Sequence, residues 1–221
     1  EGTYVTLAGQ EVSLGTDLLY RVGETTVGIE ICEDLHMPIP PSAELALNGA
    51  NVILNLSASN ETVGKRVFRQ ELVKAQSASC KCIYAFVSAG HTESTSDLVY
   101  SGHSLIAENG HILAENADRL DADYMIVQDC DLGRVNADRR RSSVFQDAAF
   151  RYGSREYLIE PMRGKDPLRS DGTLYPLRKL PFVPDAQGDR TKRCLEVFQI
   201  QVTALKQRLA TIGANAVIGI S

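Results

Sequence analysis

The sequence predicts a layered α/β domain built on a mixed sheet. Three observations predict it. Apolar strand-like segments alternate with amphipathic helical ones between residues 25 and 88, a hairpin signal follows at Asn109-Gly110, and no proline occurs from residue 42 to residue 160. The first pattern implies parallel strands joined by helices, the second antiparallel strands added to the same sheet. The third leaves the whole stretch free to hold unbroken ladders and helices.

Taken in order, residues 25–32 (TTVGIEIC) read as a buried strand and residues 41–49 as a short helix opened by proline in its first turn. Residues 51–55 (NVILN) form a second buried strand. Residues 64–79 read as a helix with Phe68, Leu72, Ala75 and Ser79 at helical spacing, and residues 82–88 (CIYAFVS) as a third strand. Residues 104–107 and 111–114 flank the turn Glu108-Asn109-Gly110 as a hairpin. A last strand is expected over residues 123–128 (DYMIVQ). The remaining five prolines lie between Pro161 and Pro184, which places a domain at residues 1–158 and a proline-rich linker at 159–188. Residues 189–221 open something else: Asp189 can cap a helix carrying Leu195, Phe198, Val202, Leu205, Leu209 and Ile212 as one apolar stripe, stopped by Gly213. A buried strand, residues 216–220, follows. The chain begins Glu1-Gly2 and stops at Ser221 inside that apolar run, so it is expected to be a piece of a longer protein.

The 221 residues are 43% apolar and 23% charged with a net charge of -5, a globular composition that argues against a nucleic-acid partner. No run approaches the ~18 apolar residues of a membrane span, so no membrane partner is expected. Five cysteines, an odd number set mostly in apolar segments, fit reduced thiols and a cytoplasmic location. His36, His91, His103 and His111 lack metal spacing, so no metal site is expected. Cys80 and Cys82 should point to opposite or offset faces, favouring neither a disulfide nor a zinc pair. The run Arg139-Arg140-Arg141 follows Asp138 and reads as a solvated helix face.

Cys32 is the most informative position. It ends an apolar strand and precedes polar residues and prolines, so its sulfur can stand at the sheet edge beside a backbone N–H able to stabilise an oxyanion. A buried core thiol is the competing reading. Glu30, on the same face, lies about 6 to 7 Å along the strand, too far for direct proton transfer.

Gly28-Ile29-Glu30-Ile31-Cys32-Glu33-Asp34 resembles the nucleophile motif of the nitrilase (carbon–nitrogen hydrolase) superfamily, and more closely its branch in the glutaminase domains of glutamine-dependent NAD+ synthetases. Further segments resemble that branch in order: Asn55-Leu56-Ser57-Ala58-Ser59-Asn60, Gly64-Lys65-Arg66, and Glu93-Ser94-Thr95-Ser96-Asp97-Leu98 before Gly102-His103-Ser104. Leu180-Pro181-Phe182-Val183-Pro184 and Ile218-Gly219-Ile220-Ser221 complete the set. The resemblance implies the C-terminal part of a four-layer α-β-β-α sandwich, then the linker and the start of an ATP-pyrophosphatase-type domain.

The resemblance makes Cys32 the nucleophile of a Glu-Lys-Cys triad that hydrolyses glutamine through a thioester. It assigns Ser59 and Lys65 to glutamine, although a solvated first-turn lysine remains an equal reading of Lys65. Ser221 matches the first serine of a nucleotide loop. The released ammonia would amidate adenylated nicotinic acid adenine dinucleotide in the second domain, with ATP and Mg²⁺. The partners implied are glutamine, that dinucleotide, ATP and further copies of the chain in a homo-oligomer. Residues 93–97 close over the site, line the ammonia route, or form a plain surface loop. The family's triad glutamate and lysine lie upstream of the cysteine; none of the 31 residues before Cys32 fits them, and no lysine precedes Lys65. The chain alone is therefore expected to be inactive and to carry no cofactor. A free-standing amidase acting on another small amide is the alternative enzyme; an inert assembly module is the alternative from another class.

Overall fold

The computed structural model describes residues 3–95, 97–116, 124–153 and 156–162, with isolated positions between 183 and 212. The chain divides into two compact units, Glu1–Tyr175 and Pro176–Ser221. In the first, an N-terminal hairpin of β1 (Thr3–Leu7) and β2 (Gln10–Leu14) forms its own two-stranded sheet. The main sheet has seven strands. They are β3 (Leu18–Val22), β4 (Thr25–Ile31), β5 (Val52–Ser57), β6 (Ile83–Ser88), β7 (Ser104–Glu108), β8 (His111–Glu115) and β9 (Leu158–Pro161). Their spatial order is β8-β7-β6-β5-β4-β3-β9.

Strands β4, β5 and β6 are parallel, as the strand–helix–strand rhythm predicts; β3, β7 and β8 join antiparallel to their neighbours, and β9 lies parallel to β3. The β7–β8 turn has the chemistry its sequence promised: Asn109 and Gly110 both adopt positive φ, 45° and 86°. The linker was expected to start at residue 159, yet β9 carries the sheet through Pro161.

Helices α1 (Pro41–Leu47) and α2 (Lys65–Cys80) make the two parallel crossovers and cover one face of the sheet. Beneath them Gly28, Ile53, Tyr84, Phe86, Leu105 and Ala107 are buried. A Cβ at Gly28 would come within 3.1 Å of Ile53 and Leu45, so glycine lets α1 approach β4 closely. The opposite face is apolar and open. Ile31, Leu56 and Val87, aligned across β4, β5 and β6, are each more than half exposed. Helix α3 (Leu132–Arg141) covers only the start of these strands, through Leu132 and Val135 packed with Val52, Ile83 and Ile106. Helix α4 (Ser143–Tyr152) continues from α3 and contacts α1.

Four expectations are corrected. Residues 124–130 form no strand: they alternate in exposure, with Met125 and Val127 almost fully exposed, but pair with no described neighbour. Alternation marks an extended chain, and a strand also needs a partner edge.

The face α2 buries is also shifted by one residue. Arg69, Val73, Ser77 and Cys80 are the buried ones, while Phe68 stays about half exposed. The hidden arginine explains the shift, because its charge is matched inside the fold and a purely apolar pattern cannot register it.

Arg139 is not on a solvated face. It donates to the carbonyl oxygens of Lys81 (2.8 Å), Cys80 (2.9 Å) and Ala50 (2.6 Å), and its guanidinium lies 5.0 Å over the Phe145 ring. Two of these carbonyls close the end of α2, where a cation is favoured; Arg139 is half-buried, while Arg140 and Arg141 are exposed. Cys80 and Cys82 do not diverge. Both are buried free thiols of one core cluster, and the neighbouring Cys80 sulfur together with burial pushes the Cys82 thiol well up.

In the second unit, the described positions from Arg190 to Ile212 are all helical, Leu195, Phe198, Val202, Leu209 and Ile212 among them. Asp189, Leu205, Gly213, the strand expected at 216–220 and most of the 159–188 segment lie outside the described residues. Among the described residues no helix is long and apolar enough to cross a membrane.

Candidate active site

Parallel strands gather their carboxyl ends at one sheet edge, where ligands of open α/β sheets bind. Three strand ends meet there: Cys32 follows β4, the segment 58–61 follows β5, and residues 89–93 follow β6. Cys32 opens a short 3-10 turn, Cys32–His36, and is half-buried. Its φ is +52°, a left-handed conformation that costs a non-glycine residue about 1–3 kcal/mol and gathers at functional sites. A sharp strand-to-helix turn of this kind lifts a nucleophile out of the sheet. On the outer side, the Asp34 carboxylate accepts from the Ile31 N–H at 2.8 Å and braces the turn.

Beneath the turn lies Glu30, 2% exposed. One carboxylate oxygen accepts from the Ser42 N–H (2.8 Å), the other from Asn55 Nδ2 (3.3 Å) and the Tyr84 hydroxyl. Burial and the Glu30 charge push the Tyr84 hydroxyl far up, so it stays a donor. With both oxygens committed, Glu30 is not placed as a base for Cys32. Asn55 also donates to the Cys32 carbonyl oxygen (3.3 Å) and accepts from the Ser57 hydroxyl (2.7 Å).

Ser59 and Lys65 bracket the next loop. The Ser59 N–H donates to Ser88 Oγ (3.1 Å), and its hydroxyl accepts from Arg69 (3.4 Å). Lys65 Nζ donates to Asn60 Oδ1 (2.7 Å), which draws the amine back over its own loop. Next to Ser59 in the chain, Ala58 lines a cavity of about 490 Å³ with Ala89, Gly90, Thr92, Glu93 and Tyr100; Cys32, Ser59 and Lys65 are not among its lining residues. Of the 93–97 segment, Glu93 alone is part of that wall. Beyond it, Thr95 Oγ1 accepts from the Asp97 and Leu98 N–H groups and Ser94 Oγ from the Tyr100 N–H. Ser96 and Ser221 lie outside the described residues.

Sequence reasoning missed the polar cluster that carries this loop. Arg69, 1% exposed, donates from Nε to His103 Nδ1 (2.9 Å) and pairs with Glu61, which also accepts from Ser101 (2.6 Å). His103 Nε2 meets Glu115 Oε1 at 2.9 Å, and Glu115 pairs with Arg66 at 2.6 Å. An arginine Nε can only donate, so His103 must accept at Nδ1 and carry its proton on Nε2. Burial, then the charges of Arg66 and Arg69, lower the His103 pKa to about 4 against the opposing pull of Glu115. Burial alone would raise Glu61, but its bonds from Ser101 and Arg69 and the Arg69 charge win and lower it. The available signal was Arg69 standing four residues after Lys65, facing Gly102-His103-Ser104 in the matched motifs. Among the described residues, no group of three or more His, Cys, Asp or Glu side chains is placed to hold a metal.

A cysteine held in a left-handed turn at the carboxyl end of a parallel strand, in a mixed sheet covered by helices, defines a layered α/β class. The carbon-nitrogen hydrolase family model matches residues 6–140, more than half of the chain, and the chain belongs to that family. Within it the similarity is to glutamine-dependent NAD(+) synthetases. The enzyme of that name from Mycobacterium bovis is 38% identical over 226 residues, covering 98% of this chain and 33% of that protein. The one from Mycobacterium leprae is 36% identical over 216 residues, covering 94% and 31%. Among solved structures, a glutamine-dependent NAD(+) synthetase from Cytophaga hutchinsonii is 30% identical with a TM-score of 0.44, over 52% of this chain and 18% of that one. The chain thus spans about a third of the length of the curated relatives it matches.

Proposed function

We propose that this chain supplies the nucleophile half of a glutaminase site in a glutamine-dependent NAD+ synthetase. Cys32 Sγ attacks the side-chain amide carbon of glutamine; the S–C bond forms as the C–N bond breaks, and ammonia leaves with the thiol proton. Water then adds to the glutamyl thioester, giving glutamate and restoring the thiol. Ser59 and Lys65 hold the amino-acid end of glutamine, and the cavity that Ala58 and Glu93 line receives it. The ammonia passes to a synthetase domain that amidates adenylated nicotinic acid adenine dinucleotide with ATP and Mg²⁺. The residues present do not hold that second chemistry: Ser221 alone is assigned to it, so no step here runs through nucleotide or metal.

The observation that carries the reading is the similarity across 98% of the chain, well beyond residue 140, where the hydrolase model ends. A free-standing amidase would account for residues 6–140 and leave the rest unexplained. The open apolar face of β4–β6 fits the same reading, because the inner layer of an α-β-β-α sandwich packs against a second sheet. The reading also needs a general base and a cation from outside these 221 residues, and it includes a homo-oligomer on the resemblance alone. The test is Cys32→Ala in the full-length enzyme: glutamine-driven NAD+ synthesis is lost and synthesis from added ammonia persists. Glutamine-driven synthesis surviving in that variant would refute the assignment.

A further inference from the structure

A carboxylate buried two residues before a nucleophile calls for a reason. Taking an ionisable group out of water costs several kcal/mol unless donors replace the water, and filling space under α1 requires no charge. Glu30 has three donors, drawn from β5, β6 and the first turn of α1. One of them, the Asn55 amide, is shared with the Cys32 carbonyl oxygen at the same 3.3 Å.

The direction of that amide is fixed by chemistry. Its nitrogen faces two oxygens that can only accept, and its oxygen takes the Ser57 hydroxyl at 2.7 Å. A flipped amide would set oxygen against oxygen twice. The amide therefore holds the Cys32 carbonyl toward the covered face of the sheet. A trans peptide points its N–H opposite its C=O, so the same hold turns the Glu33 N–H away from that face. At the first turn of a helix this N–H has no partner within the helix. The left-handed turn at Cys32, the thiol and this N–H thus share one anchor.

We propose that Glu30 and Asn55 are positioning residues for Cys32: the buried carboxylate fixes the Asn55 amide, and the amide fixes the peptide that presents the thiol. This rests on the reading of Cys32 as the nucleophile. The role differs from packing, because it predicts a loss of rate in a protein that is still folded and still binds glutamine.

The test uses the full-length enzyme with Asn55→Ala and, should that variant fail to fold, the isosteric Glu30→Gln, whose amide puts a second donor where only donors approach. Glutamine kcat and KM are measured with ammonia-driven synthesis as the control for folding, together with the labelling rate of Cys32 by a diazoketone analogue of glutamine. Loss of positioning should lower kcat and the labelling rate about 10- to 100-fold while KM stays within about two-fold. Folded variants that keep the wild-type kcat, or that raise KM with kcat intact, overturn the proposal. Labelling that persists in Cys32→Ala would instead overturn the nucleophile reading, whatever Asn55→Ala does.

Discussion

Acid should weaken this fold through one ring, His103. Its Nδ1 accepts from Arg69 Nε, so a second proton there would set two N–H groups against each other inside the fold. The native ring titrates near 4, against an ordinary value of 6.5. Between those values the unfolded chain binds a proton that the native protein refuses, so stability falls as pH falls. At 1.36 kcal/mol per pH unit, the loss between pH 7 and pH 4 is about 3 kcal/mol, a large part of a typical domain's stability. Glu61 adds to the loss below its unfolded value of about 4.5, because its lowered native pKa contributes stability only while it stays ionised. His103→Gln copies the neutral tautomer, accepting from Arg69 and donating to Glu115 without titrating. Histidine C2-hydrogen exchange read by mass spectrometry reports the pKa of this ring in a protein of any size. Denaturant midpoints from pH 7.5 to 4.5 report the linked stability. The expected result is a His103 pKa more than a unit below its ordinary value and a much flatter pH dependence in His103→Gln. A ring titrating at 6 or above, or identical acid sensitivity in both proteins, would refute the reasoning.

Three further outcomes are expected. Arg139→Ala strips three backbone carbonyls of their shared donor and should cost about 3 kcal/mol of unfolding free energy; Arg139→Lys should recover less than half, since a point-like ammonium cannot serve the three as a planar fork does. Denaturant titrations of the three proteins decide this. The isolated 221-residue chain should self-associate through its open sheet face. The pair Ile31→Lys with Leu56→Glu, direct cross-strand neighbours there, should return it toward monomer in sedimentation velocity. The same isolated chain should neither release ammonia from glutamine nor bind ATP tightly by calorimetry, because the proposed reading draws its base, cation and phosphate-binding glycines from outside these residues.

Much of the sheet was legible because its central strands carry strong local signals. The residues from Thr25 to Ile31 are an unbroken run rich in strand formers, although only Thr26, Gly28 and Glu30 on one face are buried, the α1 helix begins at a proline, and Asn109-Gly110 can hardly be anything but a tight turn. The flanking elements were silent for a physical reason. Strand β3 fully buries Leu19 alone, and α3 buries only Leu132 and Val135, too little apolar surface for a period to emerge. The DYMIVQ segment misled in the other direction, showing a strand's alternation without an edge to pair with. At the site, the cysteine and its turn were legible from the strand end and the matched motif. The support beneath was not, because Glu30, Asn55, Arg69 and His103 are polar residues buried by mutual pairing, and pairing between distant segments leaves no periodic trace.

The central claim is that Cys32 carries the glutamyl group. Full-length enzyme mixed with glutamine, quenched in acid within one turnover and digested, should yield the peptide containing Cys32 with a glutamyl adduct that appears and decays at the rate of ammonia release. Turnover with that peptide unmodified at every time point, or with the adduct on Cys80, Cys82, Cys130 or Cys194, would contradict it.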